Sequence, residues 1–213
     1  MRKTNIKILF IVLILSVVST TARGQEYEKV FIFKIGQSLN VLPERFRNYW
    51  KDSYAISSGI GYRLNKNLEI RGILNYQSWA FQKHKFIADY NVAQSQSITI
   101  SGKSVSSISA IMEIIAFFKT DYEQYSPYVT YGIGMFRMNA SETIVRHLDT
   151  RIGSFPSLGG TVVGMNWGFG MDIYITPDLV MSLESKYLLG FTENGNTGTF
   201  LLQTGFMLPL FQD

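Results

Sequence analysis

Between residues 161 and 175 the chain reads TVVGMNWGFGMDIYI. Val163, Met165, Trp167, Phe169, Met171, Ile173 and Ile175 share one parity; Val162, Gly164, Asn166, Gly168, Gly170, Asp172 and Tyr174 share the other. A period of two predicts a β-strand with one bulky apolar face and one small or polar face. The same alternation recurs eight times, predicting strands over 30–40, 53–64, 68–79, 104–119, 127–138, 161–175, 179–191 and 198–210, with no helical repeat between them. Tight connections at 65–67, 121–126 and 176–178 alternate with longer ones at 41–52, 80–103 and 139–160, and a shorter one at 192–197 comes last. Stretch 80–103 is expected to hold strand extensions, because residues 97–100 still alternate.

Short turns at one end and long loops at the other describe an all-β fold: an eight-stranded antiparallel up-and-down transmembrane β-barrel. The two tightest hairpins test the register. Pairing Leu64 with Leu68 sets Arg63 opposite Glu69 and Gly61 opposite Arg71; pairing Ile175 with Leu179 sets Asp172 opposite Ser182 and Gly170 opposite Glu184. Polar then meets polar in both, and a one-residue slip would scramble both faces. Pro209 interrupts the last strand, so its ladder is expected to end near Leu208.

The faces predict the orientation. The bulky parity, with Trp167, Phe169, Met171, Tyr187 and Phe206 among its members, carries more volume than an eight-stranded barrel can enclose, and is therefore expected to face lipid. The other parity holds many glycines, which weaken a strand unless close packing needs them. It also holds Lys34, Arg63, Arg71 and Lys186 against Glu69, Glu113, Asp172 and Glu184, four of each sign. A closed interior needs that balance, because an unpaired buried charge costs several kcal/mol. These eight are expected to form a structural ion network in a filled, non-conducting lumen. On the bulky parity, Tyr54, Tyr76, Phe191 and Phe200 gather toward the loop ends and Phe31, Phe33, Tyr62 and Phe118 toward the turn ends, as two interfacial girdles would.

The N-terminus changes the charge picture. Arg2, Lys3 and Lys7 precede an uncharged apolar run, Ile8 to Val18, and small residues follow up to Ala22-Arg23-Gly24. This order predicts a secretory signal peptide over 1–24, cut after Gly24 or, alternatively, after Ala22, ahead of one barrel domain over 25–213. Of the 20 Lys+Arg, four lie in 1–24 with no acid, so the mature chain carries 16 basic and 16 acidic groups. Nucleic-acid binding loses its compositional support. With no cysteine, disulfides and thiolate-bound metals are excluded.

The signal peptide, the eight alternating strands, the turn-and-loop pattern and the terminal strand TFLLQTGFMLPLF together resemble the small eight-stranded outer-membrane barrels of the OmpX type and of the OmpA transmembrane portion. The resemblance implies a bacterial outer-membrane location, outer-membrane lipid and lipopolysaccharide as surroundings, a monomer, no cofactor, and a structural or surface-interaction role through the loops toward an extracellular protein or glycan. Some small barrels of that membrane modify lipid A with histidine, serine and a carboxylate. His147, Ser141 and Asp149 are the nearest set here, and His84 is the only other histidine. That enzyme, and a soluble exported barrel holding a small ligand, are the alternatives; no catalytic, cofactor or metal residues are expected. The loop aromatics Phe46, Tyr49, Trp50, Phe86, Tyr90 and Phe155 are expected to pack on the barrel rim more readily than to bind partners.

Overall fold

The computed structural model describes residues 29–42, 48–51, 53–89, 98–101, 104–118, 124–147, 150–155, 157–176, 179–191 and 196–210. The signal-peptide segment, Phe46, Tyr90 and Asp149 lie outside them. The elements are β1 (Lys29–Leu42), β2 (Trp50–Lys51), β3 (Ser53–Asn65), β4 (Leu68–Phe81), α1 (Lys83–Asp89), β5 (Ile98–Ser101), β6 (Ser104–Phe117), β7 (Tyr125–Ala140), β8 (Thr143–His147), β9 (Thr150–Phe155), β10 (Leu158–Thr176), β11 (Leu179–Gly190) and β12 (Thr197–Pro209). Strands β1, β3, β4, β6, β7, β10, β11 and β12 pair antiparallel in that order, and β12 returns to β1, so the sheet closes on itself. Closure leaves no barrel edge unpaired, which a strand in hydrocarbon requires. Among the described residues no helix is long and apolar enough to cross a membrane.

The pairing fixes the shape. Stepping across directly paired residues gives Lys29, Tyr62, Ile70, Ile114, Tyr131, Trp167, Tyr187, Phe200 and then Leu39, ten residues further along β1. A stagger of ten over eight strands tilts the strands roughly 40° from the axis, within the usual 35–45°. At that tilt each residue climbs about 2.5 Å along the axis, so Phe31 to Leu39 rises roughly 20 Å, matching the ~25 Å apolar band of such barrels.

Alternation sorts the side chains. Phe33, Ile60, Leu74, Met112, Tyr131, Met135, Trp167, Phe169, Leu202 and Phe206 are exposed on the outer wall, while Lys34, Arg71, Glu113, Asn166, Asp172 and Glu184 are buried inside. The interior is not only glycine and ions. Near the turns it holds Val30, Ile32, Ile73, Val180 and Met207, with Ile115, Phe117 and Tyr128 beside them. Toward the loops it holds Ala55, Ile111, Phe136, Leu188 and Leu201.

Three local expectations are corrected. The hairpins close one residue later than the simple pairing, as Asn65↔Leu68 and Thr176↔Leu179, with a bulge in each absorbing the extra residue. Arg63↔Glu69, Gly61↔Arg71, Asp172↔Ser182 and Gly170↔Glu184 keep the expected register. At the last strand the ladder reaches Pro209, which pairs with Val30, and Leu210 N–H donates to Lys29 O at 2.8 Å. Stretch 80–103 does not simply extend the barrel strands: it contains α1, and β5 pairs with β8, which pairs with β9, in a separate three-stranded sheet.

Candidate functional site: the lumen and its cap

The interior charges come from six of the eight barrel strands. Lys34 on β1 lies 2.7 Å from Glu184 on β11. Lys186, two residues along β11, reaches Glu184 at 2.5 Å and Glu113 on β6 at 2.7 Å. Arg71 on β4 touches Glu69 at 2.5 Å, Asp172 on β10 at 3.3 Å and Glu184 at 4.0 Å. Arg63 on β3 closes the turn-side end, 3.3 Å from Glu69 and 3.0 Å from the Tyr174 hydroxyl. All eight side chains named from the sequence are thus brought into one chain of contacts. Seven are 2 % exposed or less; Arg63, at 21 %, faces the turn-side mouth.

Neutral partners complete the layer. Tyr128 donates to Glu184 at 2.9 Å and meets Ser182 at 3.2 Å, with the Arg71 guanidinium 5.2 Å over its ring. Asn166 donates to Glu113 at 2.5 Å. Toward the loops, Gln203 donates to Ser57, Ser57 to Asn75, and Asn75 to Ser109, at 2.6, 2.6 and 3.2 Å. Sequence reasoning missed Tyr128 and this amide–hydroxyl row. Parity could have found them, since Tyr128 alternates with Thr130 and Gly132 on the inner face.

Glycine makes room for the long side chains. A Cβ on Gly168 would lie 2.6 Å from Lys186 Cβ and 2.7 Å from its Cα; one on Gly170 would meet the Tyr128 hydroxyl at 2.5 Å. Gly168 and Gly170 therefore stand beside tall ionic and aromatic residues of the inner wall.

Above the loop-side rim a cap is built. Trp50 and Trp79 are buried with Val105 and Ala140, and Tyr49, Phe81 and Phe155 pack on them. Phe86 of α1, completely buried, joins Ile98, Ile100 and Val145 of the side sheet. Phe86 and Phe155 lie 6.2 Å apart, and Trp50 and Phe155 5.0 Å apart, so the two clusters are continuous. Tyr49, Trp50, Phe86 and Phe155 thus pack inward on the rim. Among the described residues, the outer surface of the cap exposes Lys83, Lys85, Arg146 and Arg151 against Asp89 and Glu142.

Of the histidine set, Asp149 lies outside the described residues. Ser141 precedes β8 and His147 ends it, and four extended steps from Thr143 to His147 cover roughly 13 Å. His84 lies on α1 and is exposed. Among the described residues no three His, Asp or Glu side chains gather as metal ligands.

Comparison of the sequence with protein-family models and with curated proteins gives no match. Solved structures do match. The crystal structure of Neisserial surface protein A aligns at a TM-score of 0.53 and 14% identity over 87% of this chain and all of that one. The N-terminal β-barrel domain of Pseudomonas aeruginosa OprF aligns at 0.50 and 15% over 87% of this chain and all of the domain. A major outer membrane protein from Thermus thermophilus aligns at 0.56 and 6% over 86% of this chain and 99% of that one. With the closed eight-strand barrel already in view, these likenesses place the chain in the fold of the small outer-membrane β-barrels, the OmpX and OmpA-transmembrane type.

Proposed function

We propose that the chain is an integral protein of a bacterial outer membrane, exported by its N-terminal signal segment, with a barrel closed to solutes and a role carried by its extracellular cap. One observation supports the closed barrel above all. A layer of mutually paired charges sits between apolar layers on both sides, and the aromatic cap covers the loop-side mouth. An ion entering would have to break contacts that hold one another's charge in a low-dielectric interior, at several kcal/mol each.

The role of the protein is structural or interactive rather than catalytic. The outer surface of the cap, which among the described residues exposes Lys83, Lys85, Arg146 and Arg151 against Asp89 and Glu142, is the part available to an extracellular protein, a glycan or lipopolysaccharide. A soluble ligand carrier would have to leave Phe33, Met112, Trp167 and Phe169 in water, and its lumen would lack room for cargo. The test is reconstitution of the refolded mature chain into planar lipid bilayers. Insertion without discrete conductance steps is expected; regular openings at the wild-type sequence would refute the closed barrel.

A further inference from the structure

On one side of the barrel the outer wall ends in a sharp chemical boundary. The outward side chains of four adjacent strands stay apolar or aromatic up to Tyr76 of β4, Ile108 of β6, Met135 of β7 and Val163 of β10, all exposed. One outward position further toward the loops, all four strands turn polar together, at Ser78, Ser106, Arg137 and Thr161. Pairing makes these one patch: Ser78 stands opposite Ser106, Ser106 opposite Asn139, and Arg137 opposite Thr161.

The register also gives the patch its height. A line of directly paired residues climbs ten residues over the eight strands of one circuit, so each strand step raises it roughly 3 Å. Tyr76 pairs with Ile108 and Ile108 with Arg137, which lifts Arg137 roughly 6 Å above Tyr76 of the loop-side aromatic girdle. That is the level of lipid headgroups, where an outward arginine costs little. Further round the rim, Phe191 at the end of β11 reaches about the same height and is exposed and apolar, so polarity at this level belongs to one side of the barrel.

The chemistry of the patch selects its occupant. Arg137 is exposed and, among the described residues, enters no ion pair; Glu142, five residues on, is engaged by Arg151 at 3.0 Å. A guanidinium presents a planar fork of donors that fits two phosphate oxygens at once. Ser106, Asn139 and Thr161 add neutral donors beside it. Directly beneath, Ile108, Met135 and Val163 offer an apolar wall to hydrocarbon. The matching molecule carries a phosphate immediately above acyl chains. The patch holds no carboxylate to receive the ammonium or choline of a zwitterionic phospholipid, which favours a phosphate carried on a sugar.

We propose, on the strength of the outer-membrane reading, that this patch binds a phosphorylated, acylated sugar of the outer leaflet, lipid A. Arg137 takes one phosphate, flanked by Ser106, Asn139 and Thr161, and the acyl chains lie along Ile108, Met135 and Val163. The site is on the barrel wall and separate from the outer surface of the cap.

The refolded mature chain in detergent is titrated with phosphorylated lipid A, with the same lipid A stripped of its phosphates, and with phosphatidylglycerol, and bound lipid is counted by native mass spectrometry. Phosphorylated lipid A is expected to bind at least tenfold more tightly than either of the others. Arg137→Gln is expected to weaken its binding about tenfold, the scale of one charge-assisted contact. Lys66→Gln removes the same charge from the exposed turn at the other end of the barrel and is expected to leave binding unchanged. Equal binding of the stripped lipid A, equal binding of phosphatidylglycerol, an unaltered Arg137→Gln protein, or an equal loss in Lys66→Gln would each overturn the site. Heat-modifiable migration reports folding of every variant. A chain that floats with lipid vesicles yet shows no dependence on Arg137 ends the site alone; a chain that does not float with them ends the membrane reading and the site with it.

Discussion

Glu184 is the most connected charge in the lumen, and Glu184→Gln isolates its charge from its shape. Glutamine is nearly isosteric and can still accept the Tyr128 hydroxyl, which lies 2.9 Å from Glu184 Oε2. The negative charge that holds Lys34 at 2.7 Å and Lys186 at 2.5 Å is lost. The described lumen charges then stand at four basic and three acidic, leaving one ammonium undercompensated. A pair 4 Å apart is worth about 4 kcal/mol at an effective dielectric near 20. Glutamine recovers part of this by shedding the desolvation cost of a buried carboxylate, several kcal/mol. The net expectation is a loss of about 3–5 kcal/mol, the usual cost of removing one partner from a buried pair. The assay is urea unfolding of the refolded protein in lipid vesicles, followed by tryptophan emission, with heat-modifiable migration as the check that each variant folds. Lys34→Met in the same background restores the charge balance, so the double variant should lose clearly less than the sum of the two single changes. A single-variant loss under about 1 kcal/mol, or strictly additive losses, would refute the view that mutual charge compensation holds the lumen together.

Other expectations follow from the same geometry. Gly168→Ala drives a methyl against the Lys186 backbone and should cost about 1–3 kcal/mol in the urea titration; a neutral result would mean β10 and β11 are not so closely apposed. Arg63 and Glu69, 3.3 Å apart with Arg63 at 21 % exposure, should couple in a double-mutant cycle by about 0.5–1 kcal/mol, and zero coupling would put the first hairpin out of register.

The barrel was legible because each strand meets two different environments. Lipid on one side and a crowded lumen on the other force every second residue of β10 to be bulky and its neighbours small or polar, and the same holds in the other seven strands. The charge-bearing parity likewise located Lys34, Arg71, Glu113 and Glu184 on the inner wall. Other features depend on contacts that alternation does not encode. The first hairpin closes at Asn65 rather than Leu64, where the Asn65 side-chain oxygen accepts from the Asn67 N–H at 2.8 Å and tightens the turn by one residue. Seven residues are too few to display a helical period, and α1 exists where Phe86 finds a buried place against Ile98 and Val145. The partner of β5 was equally hidden, since Ile98 and Ile100 alternate in the same way whether they extend the barrel or pair with β8. Inner apolar residues such as Phe136 and Leu201 escaped notice because the glycines and ions beside them dominate the same face.

Whether Trp167 touches lipid is the sharpest question. Trp50 and Trp79 are 1 % exposed beneath the cap, while Trp167 stands on the outer wall beside Tyr187, ring centroids 4.9 Å apart. Emission of the refolded protein in vesicles of lipid brominated along the acyl chain should be strongly quenched, and Trp167→Phe should remove nearly all of that quenching. Quenching of Trp167 by aqueous iodide instead, with acyl-chain bromine without effect, would place the bulky face in water and contradict the account.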